Sequence, residues 1–207
     1  MNVKNKIIAL DIGHVLARVD MSLFHRKLVE LGYSMDEEEA DLFSSAVQAS
    51  FDTGMLDMRQ ALHVHFPKMK RDHVKQVIKS WEAVVTPCGP TMEALDEILS
   101  AGATVALLSN IGLDHAAYLS RICFRQFDRC KKHFSCDVGA RKPTKLYYQS
   151  LLLELGSLHL PIIFLDDRIE NVEAAKTQNF SSQLFDIEKY DSDEDAAADL
   201  IKIVSDF

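Results

Sequence analysis

One tryptophan, four cysteines, five prolines and eight glycines are all that 207 residues contain of these types. Cys88, Cys123, Cys130 and Cys136 do not form the even framework of a small secreted domain. A chain this long buries enough apolar surface not to need one, so reduced thiols are expected. Three of them stand with His133 in "CFRQFDRCKKHFSC", whose spacing matches none of the paired knuckles of a zinc site. His63 and His65 alternate in sequence and on a helix would diverge rather than converge on a metal. No apolar run approaches the roughly 18 residues of a membrane span. The start, "MNVKNKIIALDIG", has neither a long apolar segment nor a small-residue cleavage site, so a cytoplasmic location is expected. Positive charge is also short. With 23 Lys+Arg against 31 Asp+Glu the net charge is −8, which argues against nucleic acid and anionic membranes as partners.

What is present, 47% hydrophobic and 26% charged residues, belongs to an ordinary globular chain, with room for a core domain and a smaller insertion. Ile7, Ile8, Ala9 and Leu10 run without polar alternation, as in a strand covered on both faces of a parallel sheet. Asp11 would end that strand, at the edge where ligands bind in open α/β sheets; capping the following turn is its structural alternative.

Residues 21–82 contain no convincing strand. "SLFHRKLVELGY" is an amphipathic helix stopping near Gly32, "SMDEEEADLFSSAV" opens with a capping box from Ser34 to Glu37, and "DMRQALHVHF" and "RDHVKQVIKSWEAV" are further helices. "TPCGP" at 86–90 reads as a hinge. Beyond it, helices alternate with strands in "TVALLSN", near "HFSC", in "PIIFLDD" and in "SSQLFD", which implies a parallel, three-layer sheet. The fold expected is α/β, a three-layer Rossmann-like core of residues 1–17 and 88–207 with an all-helical cap of residues 18–87 inserted after the first strand.

Parallel strands would gather Asp11, Ser109 and Asn110, Lys142 of "GARKP" and Asp166–Asp167 at one edge. Carboxylates brought together repel unless a cation binds them, and hard oxygen ligands suit Mg²⁺. A hydroxyl and a lysine beside that metal suit phosphate oxygens.

With these motifs in this order, "DIGHVL", "LLSN", "ARKP" and "FLDDRIEN", the sequence resembles the haloacid dehalogenase superfamily of aspartate-nucleophile hydrolases. The branch it most resembles is that of α-glucose-1-phosphate phosphatase and the phosphatase domains of epoxide hydrolases. The resemblance implies a phosphomonoesterase in which Asp11 is the nucleophile, Ser109 and Lys142 hold the phosphoryl group, and Mg²⁺ is bound by Asp11, the Gly13 carbonyl, Asp167 and Asp166. Asn110 would orient substrate or loop, and Asn171 near a helix start would be a cap. The substrate would be a small phosphorylated metabolite such as a sugar phosphate, and the protein a monomer or homodimer. Two departures stand out. Gly13 occupies the place of the usual acid–base aspartate, a role worth about 10²–10⁴-fold. His14 replaces an asparagine and is either a substrate-side acid–base or a turn residue. Gly13 keeps open a catalytically impaired binding protein; a dehalogenase is disfavoured by the paired Asp166 and Asp167. Asn179 replaces a glycine before the last strand and should tolerate a left-handed turn.

Overall fold

In the computed structural model, residues 3–33, 42–156 and 160–207 are described. In chain order the elements are β1 (Ile7–Leu10), β2 (Ala17–Val19), α1 (Ser22–Glu30), α2 (Ser45–Asp52), α3 (Met58–His65), α4 (Arg71–Glu82), β3 (Val85–Pro87), α5 (Gly89–Ser100) and β4 (Thr104–Ser109). They continue with α6 (Leu113–Ile122), α7 (Phe124–Phe127), β5 (Lys131–Phe134), α8 (Ser135–Val138), α9 (Lys145–Leu155), β6 (Ile162–Asp166), α10 (Ile169–Lys176), β7 (Ser181–Leu184) and α11 (Asp193–Asp206).

Five strands form a parallel sheet in the order β5-β4-β1-β6-β7. The apolar run of β1 is buried at every position because the pleat sends alternate side chains into two cores. Ile8 and Leu10 pack with Leu95 and Ile98 of α5 and Leu200 of α11. Ile7 and Ala9 pack with Tyr147 and Leu151 of α9 and Ala175 of α10. Each such side chain contributes about 1.5–3 kcal/mol by leaving water. The result is the three-layer α/β architecture expected.

Among the described residues, 21–82 carry helices and no strand. α1 ends two residues before Gly32, whose φ of +84° is the left-handed stop anticipated there. The Ser34–Glu37 capping box lies outside the described residues. Where the sequence suggested only a hinge, Val85–Pro87 is a strand, paired antiparallel with β2 (Ala17↔Pro87, Val19↔Val85), and Pro90 lies in the first turn of α5. The chain thus leaves and re-enters the core through a two-stranded ribbon, and the division proposed at 17/18 and 87/88 falls on it. The strand placed near "HFSC" is Lys131–Phe134; Ser135 and Cys136 already belong to α8. Asn179 takes the left-handed conformation, at φ +64°.

Candidate active site

β1 lies between β4 and β6 with Leu10 opposite both Leu107 and Leu165, so Asp11, Ser109 and Asp166 emerge side by side from three adjacent strands. Lys142 reaches them from the loop between α8 and α9. Its side chain is wholly buried, and its Nζ lies 2.9 Å from Asp11 Oδ2, 2.6 Å from Asp166 Oδ2 and 2.7 Å from the Leu108 carbonyl oxygen. Three ammonium protons therefore meet three acceptors. Carboxylate oxygens of Asp11, Asp166 and Asp167 lie within 4.8 Å of one another.

Three carboxylates against one ammonium leave the cluster negative, and the ionisations follow. Burial pushes the Asp11 carboxyl up to about 7; Lys142 opposes that rise and Asp166 adds to it. Burial, and then Asp166, also raise Asp167. Burial alone would lower Lys142, but Asp11 and Asp166 carry it above its ordinary value.

Asp166 is fully engaged. One oxygen takes Lys142, and the other accepts from the Arg168 backbone N–H (2.9 Å) and from Asn171 Nδ2 (2.8 Å). Asn171, expected to be a cap, is instead a buried brace, and its carbonyl accepts from Tyr148. Asn110 has both ends of its amide on the Lys142 backbone, at 2.9 and 2.8 Å, so it orients the loop that carries Lys142. Ser109 is only 4% exposed, and its hydroxyl has no hydrogen-bond partner among the described residues. It is an orphaned polar group where one is costly, as expected of an atom that meets a ligand. His14 sits in a turn at φ +54°, its backbone bonded to Ala17 and Ile187, with its ring close enough to Asp167 to oppose the rise of that carboxyl's pKa. Gly13 needs no positive φ, and an added Cβ would meet only Val19, at 3.5 Å.

The helical segment closes over this edge. Phe51 and Trp81 line a cavity of about 230 Å³ that Ile12, Gly13 and Ser109 also border, whereas Phe24 is packed inside the helices and Met55 is exposed elsewhere. Several polar groups that the sequence did not flag bridge the two sides. Asp52, buried, accepts from Gln48 Nε2 (2.9 Å) and from Arg141 (2.7 Å), and Asp114 accepts from the Met58 N–H (2.8 Å). At Gly54, φ is +72° and a Cβ would stand 2.5 Å from the Cys136 carbonyl oxygen, so only glycine allows this approach. Asp52 and Arg141 are 89 residues apart, and no local pattern announces their pairing.

The donor set fits a hard divalent cation: among the described residues it consists of clustered carboxylate oxygens, with an excess of negative charge. Among the described residues no helix is long and apolar enough to cross a membrane. No family model matches the sequence, and no curated protein is significantly similar to it. Solved structures are similar in fold. A haloacid dehalogenase (HAD) family enzyme of Bacteroides thetaiotaomicron, in complex with magnesium and inorganic phosphate, superposes with a TM-score of 0.74 at 19% identity, over 90% of this chain and 97% of that one. A HAD-like family hydrolase of Porphyromonas gingivalis gives 0.67 at 17% identity, over 87% and 91%. L-2-haloacid dehalogenase of Xanthobacter autotrophicus, with chloropropionic acid covalently bound, gives 0.60 at 18%, over 87% and 77%. The fold of this chain is that of the HAD-family enzymes.

Proposed function

We propose that this chain is a HAD-family phosphomonoester hydrolase that works with Mg²⁺ on a small phosphorylated metabolite in the cytoplasm, without nucleic acid or membrane. The observation that carries the reading is the buried Asp11–Lys142–Asp166 cluster, flanked by Asp167 and by a serine hydroxyl with no partner among the described residues. Asp11, Asp167 and the Gly13 carbonyl would hold the ion, with Asp166 beside them; bound there, Mg²⁺ supplies positive charge against the nucleophile and phosphate oxygens. An oxygen of Asp11 attacks phosphorus, the P–O bond to the leaving group breaks and the leaving oxygen departs as the alcohol with a proton from solvent, and water then cleaves the aspartyl-phosphate to phosphate and free Asp11, returning that proton. Lys142 holds Asp11 in place and offsets phosphoryl charge, and Ser109 donates to a phosphoryl oxygen. The magnesium and phosphate held by the Bacteroides enzyme support this choice over carbon–halogen chemistry.

The test is hydrolysis of nitrophenyl phosphate with and without Mg²⁺. Asp11→Asn should abolish turnover, because the amide keeps the shape and loses the anionic nucleophile. Near-normal activity in that variant would refute the mechanism. The absence of a carboxylate at Gly13 favours one second reading, a phosphate-binding protein with little turnover; it predicts Mg²⁺-dependent phosphate binding without release of nitrophenol.

A further inference from the structure

We infer that the leaving group is small and mostly apolar and carries one hydroxyl, which Nδ1 of His115 accepts. The inference rests on the phosphatase reading and narrows its substrate class. The cavity bordered by Gly13 and Ser109 measures about 230 Å³, roughly eight water volumes, enough for a phosphoryl group and a short chain. Its walls are largely apolar: Ile12, Val19, Phe51, Trp81 and Val84. Several of its polar groups are already occupied, Asp52 by Gln48 and Arg141, and Asp114 by Met58. A hexose would bring several hydroxyls to these walls and leave most of them unpaired.

His115 differs. Its Nε2 lies 2.7 Å from the Trp81 carbonyl oxygen, which can only accept, so Nε2 carries the proton. Burial holds the ring below its ordinary pKa and therefore neutral, despite Asp114 beside it. Nδ1 is then a bare acceptor, in a residue 7% exposed, with no partner among the described residues. The ring also lies against Trp81, tilted by 32° with centroids 4.4 Å apart, so its orientation is held by a hydrogen bond and by a ring contact. A buried, fixed acceptor on a cavity wall calls for a donor, and a substrate hydroxyl supplies one. A second cavity, about 410 Å³, shares Gln48, Asp52 and Asn110 with the first and is also bordered by Arg141, Lys142 and Arg168.

The test compares kcat/KM for short ω-hydroxyalkyl phosphates, the matched alkyl phosphates and glucose 6-phosphate, with the full chain and Mg²⁺. At one chain length the hydroxyalkyl ester should exceed its alkyl partner about tenfold and also exceed the hexose ester. His115→Gln keeps a donor for the Trp81 carbonyl but no acceptor in place of Nδ1, so the ratio should fall to about one. His115→Asn restores an acceptor there and should recover most of it, and thermal melting reports whether either variant is folded. If nitrophenyl phosphate is hydrolysed through Asp11 yet the ratio is near one at every length, survives His115→Gln, or is eclipsed by the hexose ester, the inference is wrong. If no ester is hydrolysed, the phosphatase reading fails instead. Calorimetric binding of hydroxyalkyl- against alkylphosphonates then decides the pocket's preference, and equal affinities overturn it.

Discussion

Replacing Lys142 by methionine should separate the structural from the chemical demands of the cluster. The side chain is wholly buried and its ammonium holds three acceptors, two of them carboxylates. Methionine fills similar volume, so the loss is almost purely electrostatic. Removing one partner of a buried ion pair typically costs about 3–5 kcal/mol, because the remaining charge stays desolvated. Asp11 limits that cost: it titrates at about 7 already and can shed its charge by taking up a proton, whereas Asp166 is fully buried and engaged. The expected loss of unfolding free energy in urea without Mg²⁺ is therefore near the lower end, about 3 kcal/mol. A bound cation replaces the missing charge and stabilises by about 2.7 kcal/mol at a hundred times its dissociation constant, so Mg²⁺ should restore most of the loss while turnover stays absent. Asp166→Asn added to Lys142→Met should be milder than Lys142→Met alone. A metal-free Lys142→Met protein within about 1 kcal/mol of wild type would refute the idea that this lysine balances the buried acids.

Gly13→Asp should fold, since the position has negative φ and room for a Cβ, and it should speed alkyl phosphates more than nitrophenyl phosphate by supplying a proton to the poorer leaving group; an unchanged dependence on leaving group would mean that another residue already does so. Gly54→Ala should destabilise by about 1–3 kcal/mol in denaturant melts, from its positive φ and its contact with the Cys136 carbonyl. His115 titrates below its ordinary 6.5 in the folded protein, so below that pH the unfolded chain binds more protons and stability falls as pH falls. The stability of wild type relative to His115→Gln should therefore decline from about pH 6.5 downward, by at most about 1.4 kcal/mol per unit; a flat difference down to pH 5 would refute the buried neutral ring.

The sheet was legible because its strands are short apolar runs ending in polar residues, and a parallel sheet turns that pattern into an edge: Asp11, Ser109 and Asp166 meet because β1 pairs with both β4 and β6. The ribbon was not legible. Ala17–Val19 and Val85–Pro87 are three residues each, too short for alternation to register, and their pairing is long-range. Asn171 was misjudged for a related reason, since an asparagine near a helix start is ambiguous until the neighbouring strand places Asp166 2.8 Å away. The closure by Arg141, Asp52, Gly54 and His115 depends on how the helices settle onto the core, and no motif spacing encodes it.

The two consecutive acids at the end of β6 also bear on which chemistry the site runs. Asp166 is the last residue of the strand and Asp167 lies in the bend that follows it, and the two carboxylates have different surroundings. Asp166 turns inward to Lys142, Asn171 and the Arg168 N–H, which together use both its oxygens. Asp167 is less buried, carries no hydrogen bond to another side chain among the described residues, and keeps an oxygen within 4.8 Å of Asp11. One acid thus fixes the lysine and the other is left for a ligand. A carboxylate attacking carbon needs no second acid at that distance; repulsion would only hinder it. A carboxylate attacking a phosphate dianion must first overcome charge, and an uncommitted acid beside it becomes useful once it holds a divalent ion. Gly13 bears on the rate of proton transfer and leaves this arrangement of charge intact, which is why the phosphatase proposal rests on the acid cluster and not on the missing aspartate.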